Sequence, residues 1–209
     1  DAGTVAITHF DIGHAAGINE MNVPRHMIKF IYARAVEPTV PSWDCQDTMW
    51  RNPKKFETPF DLSLAWSHMW DWMCGKDDLY ESFRALDVDR VEGALAALDI
   101  EDRATQIAAM HSLAADQDTD ALAALVQKLN GEEQWTRLTA VYALGAMGEP
   151  AVQPLSDSLV DGAADQGDDE VPKSWNEGAI SMDDAAHALA AVGSSSVEGL
   201  IGLLDQEHE

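Results

Sequence analysis

The residues best suited to chemistry lie near the N-terminus, where a histidine and an arginine stand beside two apolar runs. Val5 and Ile7 alternate with Thr and Ala, which is the period of a half-buried strand. A second run, His26 to Ala33, is rich in β-branched and aromatic residues. His14 follows the first run and Arg25 precedes the second. Two facing strands would therefore bring an imidazole and a guanidinium to the same end of a sheet.

The segment from Gly3 to Arg25 has the pattern G-x-V-x-x-x-H-x-x-x-x-H-x-x-G-x-N-x-x-x-x-x-R. This pattern resembles the distal half of the phytanoyl-CoA dioxygenase family, Fe(II)- and 2-oxoglutarate-dependent oxygenases built on a double-stranded β-helix. The resemblance implies that His14 is an iron ligand, that Arg25 binds a carboxylate of 2-oxoglutarate, and that Asn19 shapes the turn between them. The chemistry is suitable, since neutral imidazole binds ferrous iron and guanidinium matches a carboxylate in bidentate geometry.

The same family takes its first two iron ligands from an H-x-D motif far upstream of the distal histidine. Here only His9-Phe10-Asp11 has that pattern, and it lies too close to His14 to complete the same site. The resemblance, which covers residues 1–45, therefore implies the C-terminal part of an oxygenase. We expect the intact parent to hydroxylate a C–H bond with Fe(II) and 2-oxoglutarate. We expect this chain alone to be non-catalytic and to hold neither cofactor tightly. The alternative to iron ligation is that His14 is an ordinary polar residue on the surface.

The acidic residues are concentrated in the second part of the chain. Residues 1–57 have a net charge of −1, and residues 58–209 have a net charge of −23. Such a surface repels nucleic acid and suits either a basic partner or high solubility. No run is apolar for long enough to predict a membrane span. The two cysteines, Cys45 and Cys74, match no zinc or redox spacing, so we expect reduced thiols in a cytoplasmic protein.

A helix with one apolar stripe follows a proline-rich linker that contains two tryptophans. Asp61 is the expected N-cap and Gly75 the expected C-terminal stop. The stripe consists of Leu62, Ala65, Trp66, Met69, Trp70 and Met73. It favours packing against another part of the chain, and a ligand pocket is the alternative.

The rest of the sequence repeats. Val91, Leu95 and Leu98 recur 31 positions later, and Ala143–Leu159 recurs 45 positions later as Ala188–Leu204. Each long copy predicts a helix, a Gly turn and a second helix, and the pattern A-x-x-A-L-x-x-x-G-x-x-A-V-x-x-L resembles a HEAT-like repeat. We expect four antiparallel pairs in an α–α superhelix. The pairs join Asp77–Leu86 to Asp89–Leu98, Asp102–Ala115 to Thr119–Asn130, Glu133–Gly148 to Pro150–Val160, and Met182–Gly193 to Ser195–Asp205.

An acidic, Gly-rich stretch over residues 161–181 separates the third pair from the fourth. Its carboxylates do not have EF-hand spacing, so we expect a mobile loop in which Trp175 docks on the helices. His111 and His187 lie in Ala-rich helices and are interpreted as packing or surface residues. No catalytic triad and no phosphate-binding loop is found.

These observations predict a mostly α fold with three parts. Residues 1–45 would form an incomplete oxygenase hairpin, residues 46–76 a Trp-rich linker and helix, and residues 77–209 a HEAT-like solenoid. The first functional hypothesis is the oxygenase fragment, with His14 and Arg25 as its iron and 2-oxoglutarate residues. The second is a non-enzymatic protein-binding scaffold. The expected partners are a protein that docks on the helical repeats, the missing oxygenase portion, or a second copy; no nucleic acid and no membrane is expected.

Overall fold

A computed structural model describes residues 5–6, 18–24, 26, 28–32, 34–54, 58–86, 93–116, 118–164 and 177–204, the last of these as backbone only up to residue 182. The chain divides into two compact units, residues 1–37 and residues 38–209. The described part is mostly helical, as the sequence predicts. The three-part division at residues 45 and 76 remains a prediction.

The N-terminal β-hairpin is not supported. Within the described residues of the first unit there is no strand, and this includes most of the run from His26 to Ala33. Ile28 is 81% exposed and Tyr32 90% exposed, so the run's apolar side chains bury little surface. A pair of strands without a third strand or a covering apolar layer is marginally stable in water. Alternation of residue types alone was therefore not sufficient to predict a hairpin here.

Nine helices can be numbered in the described residues. Their bounds are α1 Ser63–Met73, α2 Glu81–Arg84, α3 Ala94–Ala97, α4 Arg103–Asp116, α5 Thr119–Leu129, α6 Gln134–Met147, α7 Val152–Ala164, α8 Glu177–Val192 and α9 Val197–Leu204. The second, third and fourth predicted pairs correspond to α4–α5, α6–α7 and α8–α9.

The predicted 45-residue repeat is present in the backbone. Helix α6 is followed by Gly148, whose φ is +74°, and helix α8 is followed by Gly193, whose φ is +81°. A short 3-10 turn comes next in both copies, and then α7 or α9 begins. A left-handed residue favours glycine because it has no Cβ. Gly148 and Gly193 therefore form equivalent turns between the two helices of each pair.

The first predicted pair is shorter than expected in the part that the structure describes, where α2 and α3 are single turns; residues 87–92, which include the predicted start at Asp89, lie outside the described residues. The backbone N–H of Tyr80 donates to Asp78 Oδ1 at 3.0 Å, a local turn that delays the start of α2 until Glu81. Gly93, with φ +80°, sets the start of α3. Local turn chemistry competes with the helical periodicity on which the prediction rested.

Helix α6 is the centre of the packing. It lies against α4 on one side and α8 on the other, and it also contacts α1 and α5. Alanines are prominent in this core: Ala109, Ala140, Ala143 and Ala188 are fully buried. Small side chains let helix axes approach closely, while larger side chains fill the space between the helices. The larger members of this core include Met110, Leu125, Leu144, Leu155 and Leu189.

A buried ion pair joins two neighbouring helices of this stack. Arg137 on α6 places Nε 2.6 Å from Asp184 Oδ2 on α8, and both side chains are nearly buried. The Arg137 guanidinium also donates to the carbonyls of Gly131 and Glu132 at 3.1 and 2.7 Å. These contacts offset the free-energy cost of removing the two charges from water. The contact fixes the register of α6 against α8.

The acidic stretch over residues 161–181 is partly helical, because α7 continues to Ala164 and α8 begins at Glu177. Trp175 and the carboxylates of residues 165–170 lie outside the described residues. By length and composition alone, the stretch Asp183–Leu204 could cross a membrane. In the fold it is interrupted at Gly193, and its α8 portion packs on α6 and α7.

Candidate functional site

The two residues that the sequence proposes as ligands, His14 and Arg25, lie outside the described residues, so their roles remain predictions. Asn19 makes two local hydrogen bonds: its side-chain amide donates to the Val23 carbonyl at 2.9 Å, and its oxygen accepts from the Met21 N–H at 3.3 Å. Among the residues that the structure describes, no group of three His, Cys, Asp or Glu side chains could hold a metal ion.

The candidate site in the described part is an apolar pocket between α1 and the residues that precede it. Its volume is about 320 Å³. One wall is the stripe of α1, and the other is the segment 43–54, here called the tryptophan segment. The lining residues are Trp50, Pro53, Trp66, Met69, Trp70 and Met73.

Contacts between indole rings hold the tryptophan segment on α1. The Trp50 ring lies 6.1 Å from the Trp66 ring and 5.8 Å from the Trp70 ring, measured between centroids. Trp43 meets Trp70 edge to face at 5.5 Å. Tilted and edge-to-face arrangements are the favoured geometries of aromatic pairs. Four tryptophans thus form one cluster on the outer side of α1.

Hydrogen bonds fix the orientation of these rings. The Trp70 indole N–H donates to the Thr48 carbonyl at 2.9 Å, and the Trp50 indole N–H donates to Asn52 Oδ1 at 2.9 Å. The backbone N–H of Trp50 donates to Ser82 Oγ at 2.9 Å. These hydrogen bonds satisfy the indole N–H groups of Trp50 and Trp70. The surfaces that these two rings contribute to the pocket are therefore apolar. The pocket is therefore suited to an apolar group.

A buried polar network lies beneath the pocket and holds it in place. Asp71 is fully buried; its carboxylate accepts from the Ser82 hydroxyl at 2.5 Å and from the Ser82 N–H at 2.9 Å. Lys76 Nζ lies 3.1 Å from Asp71 and 2.7 Å from Glu81. Burial lowers the pKa of Lys76, but the bonds to Glu81 and Asp71 outweigh it, and the net shift is upward. Lys76 is therefore charged and paired.

The polar side of α1, and not its apolar stripe, is the side that is most deeply buried. Ser63, Ser67 and Asp71, spaced four residues apart, are buried together with Leu64. Met69, in the stripe, is 44% exposed. The sequence shows a stripe but not which neighbours will cover it. The missed signal was the spacing of Ser63, Ser67 and Asp71, which places hydroxyls and a carboxylate on one face.

A second cluster, of rings, lies where α1 meets the stack. His68 stacks on Tyr80 with centroids 4.9 Å apart, and it meets Tyr142 edge to face at 5.6 Å. The His68 ring nitrogens and the Tyr80 hydroxyl are buried and make no hydrogen bond to any residue that the structure describes. Burial lowers the pKa of His68 to about 4, although Asp71 opposes this shift. Burial likewise raises the pKa of Tyr80. Both groups are uncharged at neutral pH.

Comparison with known proteins supports the helical repeats alone. Residues 91–171 match the family model of HEAT repeats, a range that contains α4, α5, α6 and α7. No curated protein and no solved structure gives a significant match. Nothing in these comparisons supports the resemblance of residues 1–45 to the phytanoyl-CoA dioxygenases. What the fold and the comparisons define is a helical-repeat protein.

Proposed function

We propose that this chain is a protein-binding module in which HEAT-like helices carry the tryptophan and methionine pocket. The observation that carries the proposal is the HEAT-repeat match over residues 91–171 together with the stacking of α4, α6 and α8. HEAT repeats commonly mediate protein–protein interaction. They build an extended surface from elements that contact mainly their neighbours.

The charge of the chain indicates the chemistry of the partner. Residues 58–209 carry thirty acidic and seven basic residues. A field of that sign accelerates encounter with a basic protein and disfavours an acidic one. A polyanion such as nucleic acid would be repelled. The partner that fits is a polypeptide segment of net positive charge.

The pocket adds an apolar contact to the electrostatic attraction between this chain and a basic partner. Tryptophan residues often dominate binding free energy, and flexible methionines adapt to differently shaped side chains. Trp66, Trp70 and Met69 lie on one helix face, and Trp50 is held opposite them. A volume of about 320 Å³ accommodates one large apolar side chain. The proposed ligand is therefore a basic segment that carries a leucine, methionine or aromatic residue.

The other hypotheses from the sequence gain no support from the described residues. Iron ligation by His14 and 2-oxoglutarate binding by Arg25 remain predictions for an intact parent. The missing oxygenase portion and a second copy of the chain likewise remain predicted partners. No contact in the described part of the chain favours either of them over a separate basic polypeptide.

Selection from a phage-displayed peptide library tests the proposal. We expect the full chain to enrich peptides of net positive charge that share one large apolar residue, and synthetic peptides of that kind to bind in solution. Trp66→Ala should weaken their binding about tenfold or more, as expected for a central aromatic anchor.

Trp72→Ala is the matched control, because Trp72 belongs to the same helix but does not line the pocket. Its affinity for the selected peptides should stay near that of the unmodified chain. Enrichment of acidic peptides, or equal binding by the Trp66→Ala and Trp72→Ala variants, would contradict the proposal.

A further inference from the structure

The two cysteines of the chain are 29 positions apart in sequence but come together beside the C-terminal end of α1. The chain before α1 runs along this helix: a Cβ on Gly75 would lie 2.2 Å from the carbonyl carbon of Thr39. Further along, Trp43 and Thr48 both contact Trp70. Cys45 lies between these two contacts.

Cys74 lies one helical turn beyond Trp70, and its N–H donates to the Trp70 carbonyl at 2.9 Å. It therefore occupies the side of α1 that the tryptophan segment covers. Both cysteines are free thiols. Burial raises the pKa of the Cys74 thiol, and the neighbouring Cys45 thiol raises it further. This influence agrees with the contacts that bring the tryptophan segment onto α1.

The two thiols differ in access. Cys74 is 5% exposed, whereas Cys45 is half-buried, and its Sγ donates to the Asp47 carbonyl at 3.2 Å. A reagent in solution therefore reaches Cys45 more readily than Cys74. An accessible attacking thiol and a sheltered resolving thiol are the arrangement found in reversible redox pairs.

We propose that Cys45 and Cys74 form a reversible intramolecular disulfide that fastens the tryptophan segment to α1. The oxidant is a small-molecule disulfide such as oxidised glutathione. The Cys45 thiolate attacks one glutathione sulfur, which makes a mixed disulfide and releases one reduced glutathione. The Cys74 thiolate then attacks the Cys45 sulfur and displaces the second glutathione. Two protons leave the protein thiols, and two electrons pass to glutathione.

The bond would act on the wall of the pocket. It closes a ring over residues 45–74 that contains Trp50, Pro53 and the whole of α1. A covalent ring of this length lowers the entropy of the unfolded chain and resists lifting of the tryptophan segment. The inference does not require the pocket to bind a peptide, because it concerns the two thiols alone.

The test is equilibration of the full chain with oxidised glutathione at pH 8, followed by intact-mass and peptide mass spectrometry. We expect a loss of 2 Da, no free thiol and one cross-linked peptide that joins Cys45 to Cys74. The melting temperature should rise by about 5 °C or more. Acrylamide should quench the tryptophan fluorescence less, and reduction should reverse both effects.

Cys45→Ser removes the accessible thiol without disturbing the helix. We expect this variant to melt at the same temperature with and without oxidised glutathione. Cys74→Ala should retain one glutathione on Cys45, a gain of about 305 Da, because no resolving thiol remains. A stable mixed disulfide on the unmodified chain, a disulfide-linked dimer, or two unreacted thiols would each overturn the proposal.

Discussion

At the scale of single residues, the uncharged state of His68 makes stability depend on pH. The pKa of His68 is about 4 in the folded chain, below the ordinary value near 6.5. The unfolded chain therefore binds more protons than the folded chain as the pH falls from 7.5 towards 4. The free energy of unfolding must decrease over that range.

Between pH 7.5 and pH 5.5, His68 takes up a proton in the unfolded chain but not in the folded chain. We expect this to lower the free energy of unfolding by about 1 kcal/mol. His68→Phe keeps a ring against Tyr80 but cannot take up a proton, so this part of the pH dependence should disappear. Urea denaturation at the two pH values measures it. His187→Gln, at a side chain that is 64% exposed, serves as the matched control for the replacement of a histidine. An unaltered pH profile in His68→Phe would contradict the assignment.

Asp71 is the residue on which the network beneath the pocket depends. Asp71→Ala would leave the buried N–H and hydroxyl of Ser82 without their carboxylate acceptor, and it would leave Lys76 with Glu81 as its remaining carboxylate. Removal of one partner of a buried pair costs about 3–5 kcal/mol, and we expect a loss of this size in urea denaturation. Asp47→Ala, at an exposed pair with Arg51, is the control and should change stability little. A small loss in Asp71→Ala would show that the network is dispensable.

At the scale of elements, the long helix pairs and the position of α1 were predictable, but the part of the chain that covers α1 was not. Over residues 102–205 the helices pack on similar helices of the same chain, and this repeated packing requires a regular spacing of Ala, Leu and Gly. The sequence pattern therefore predicts the contacts. The covering of α1 depends on residues 43–54, which have no period of their own. The network around Asp71 combines residues from three segments of the chain. Contacts between distant segments leave no local sequence pattern, so the network could not be predicted.

Gly145 lies at a close contact between α6 and its neighbours. A Cβ there would be 2.6 Å from the Tyr80 hydroxyl oxygen and 2.7 Å from the Ala191 Cβ. Gly145→Ala improves helix propensity by about 1 kcal/mol, but overpacking costs roughly 1–3 kcal/mol. We expect a net loss of about 1 kcal/mol in the free energy of unfolding.

Gly202→Ala makes the same substitution in α9, where no atom of the described residues lies within 4 Å of the new methyl group. It should stabilise the chain by up to about 1 kcal/mol, because helix propensity then acts alone. The two variants should therefore shift the urea midpoint in opposite directions. A gain in stability from Gly145→Ala would mean that α6 and α8 can separate freely.

At the scale of the whole molecule, the net charge of −24 opposes compactness. Like charges on a folded chain repel one another, and salt screens them over about 10 Å at 0.1 M. We expect the melting temperature at pH 7.5 to rise as sodium chloride increases from 10 mM to 300 mM. Sucrose of equal osmolality serves as the non-ionic control and should give a smaller rise. A melting temperature that falls with salt would show that paired charges outweigh the excess of acid.

The central place of α6 also determines the order in which the stack comes apart. Helix α9 has no buried residue, whereas α6 is covered by neighbours on both sides. Opening of a stacked array is cheapest where fewest neighbours must be released. In native-state deuterium exchange, the amides of α9 should therefore exchange soonest and those of α6 last, so that the molecule frays from one edge inward.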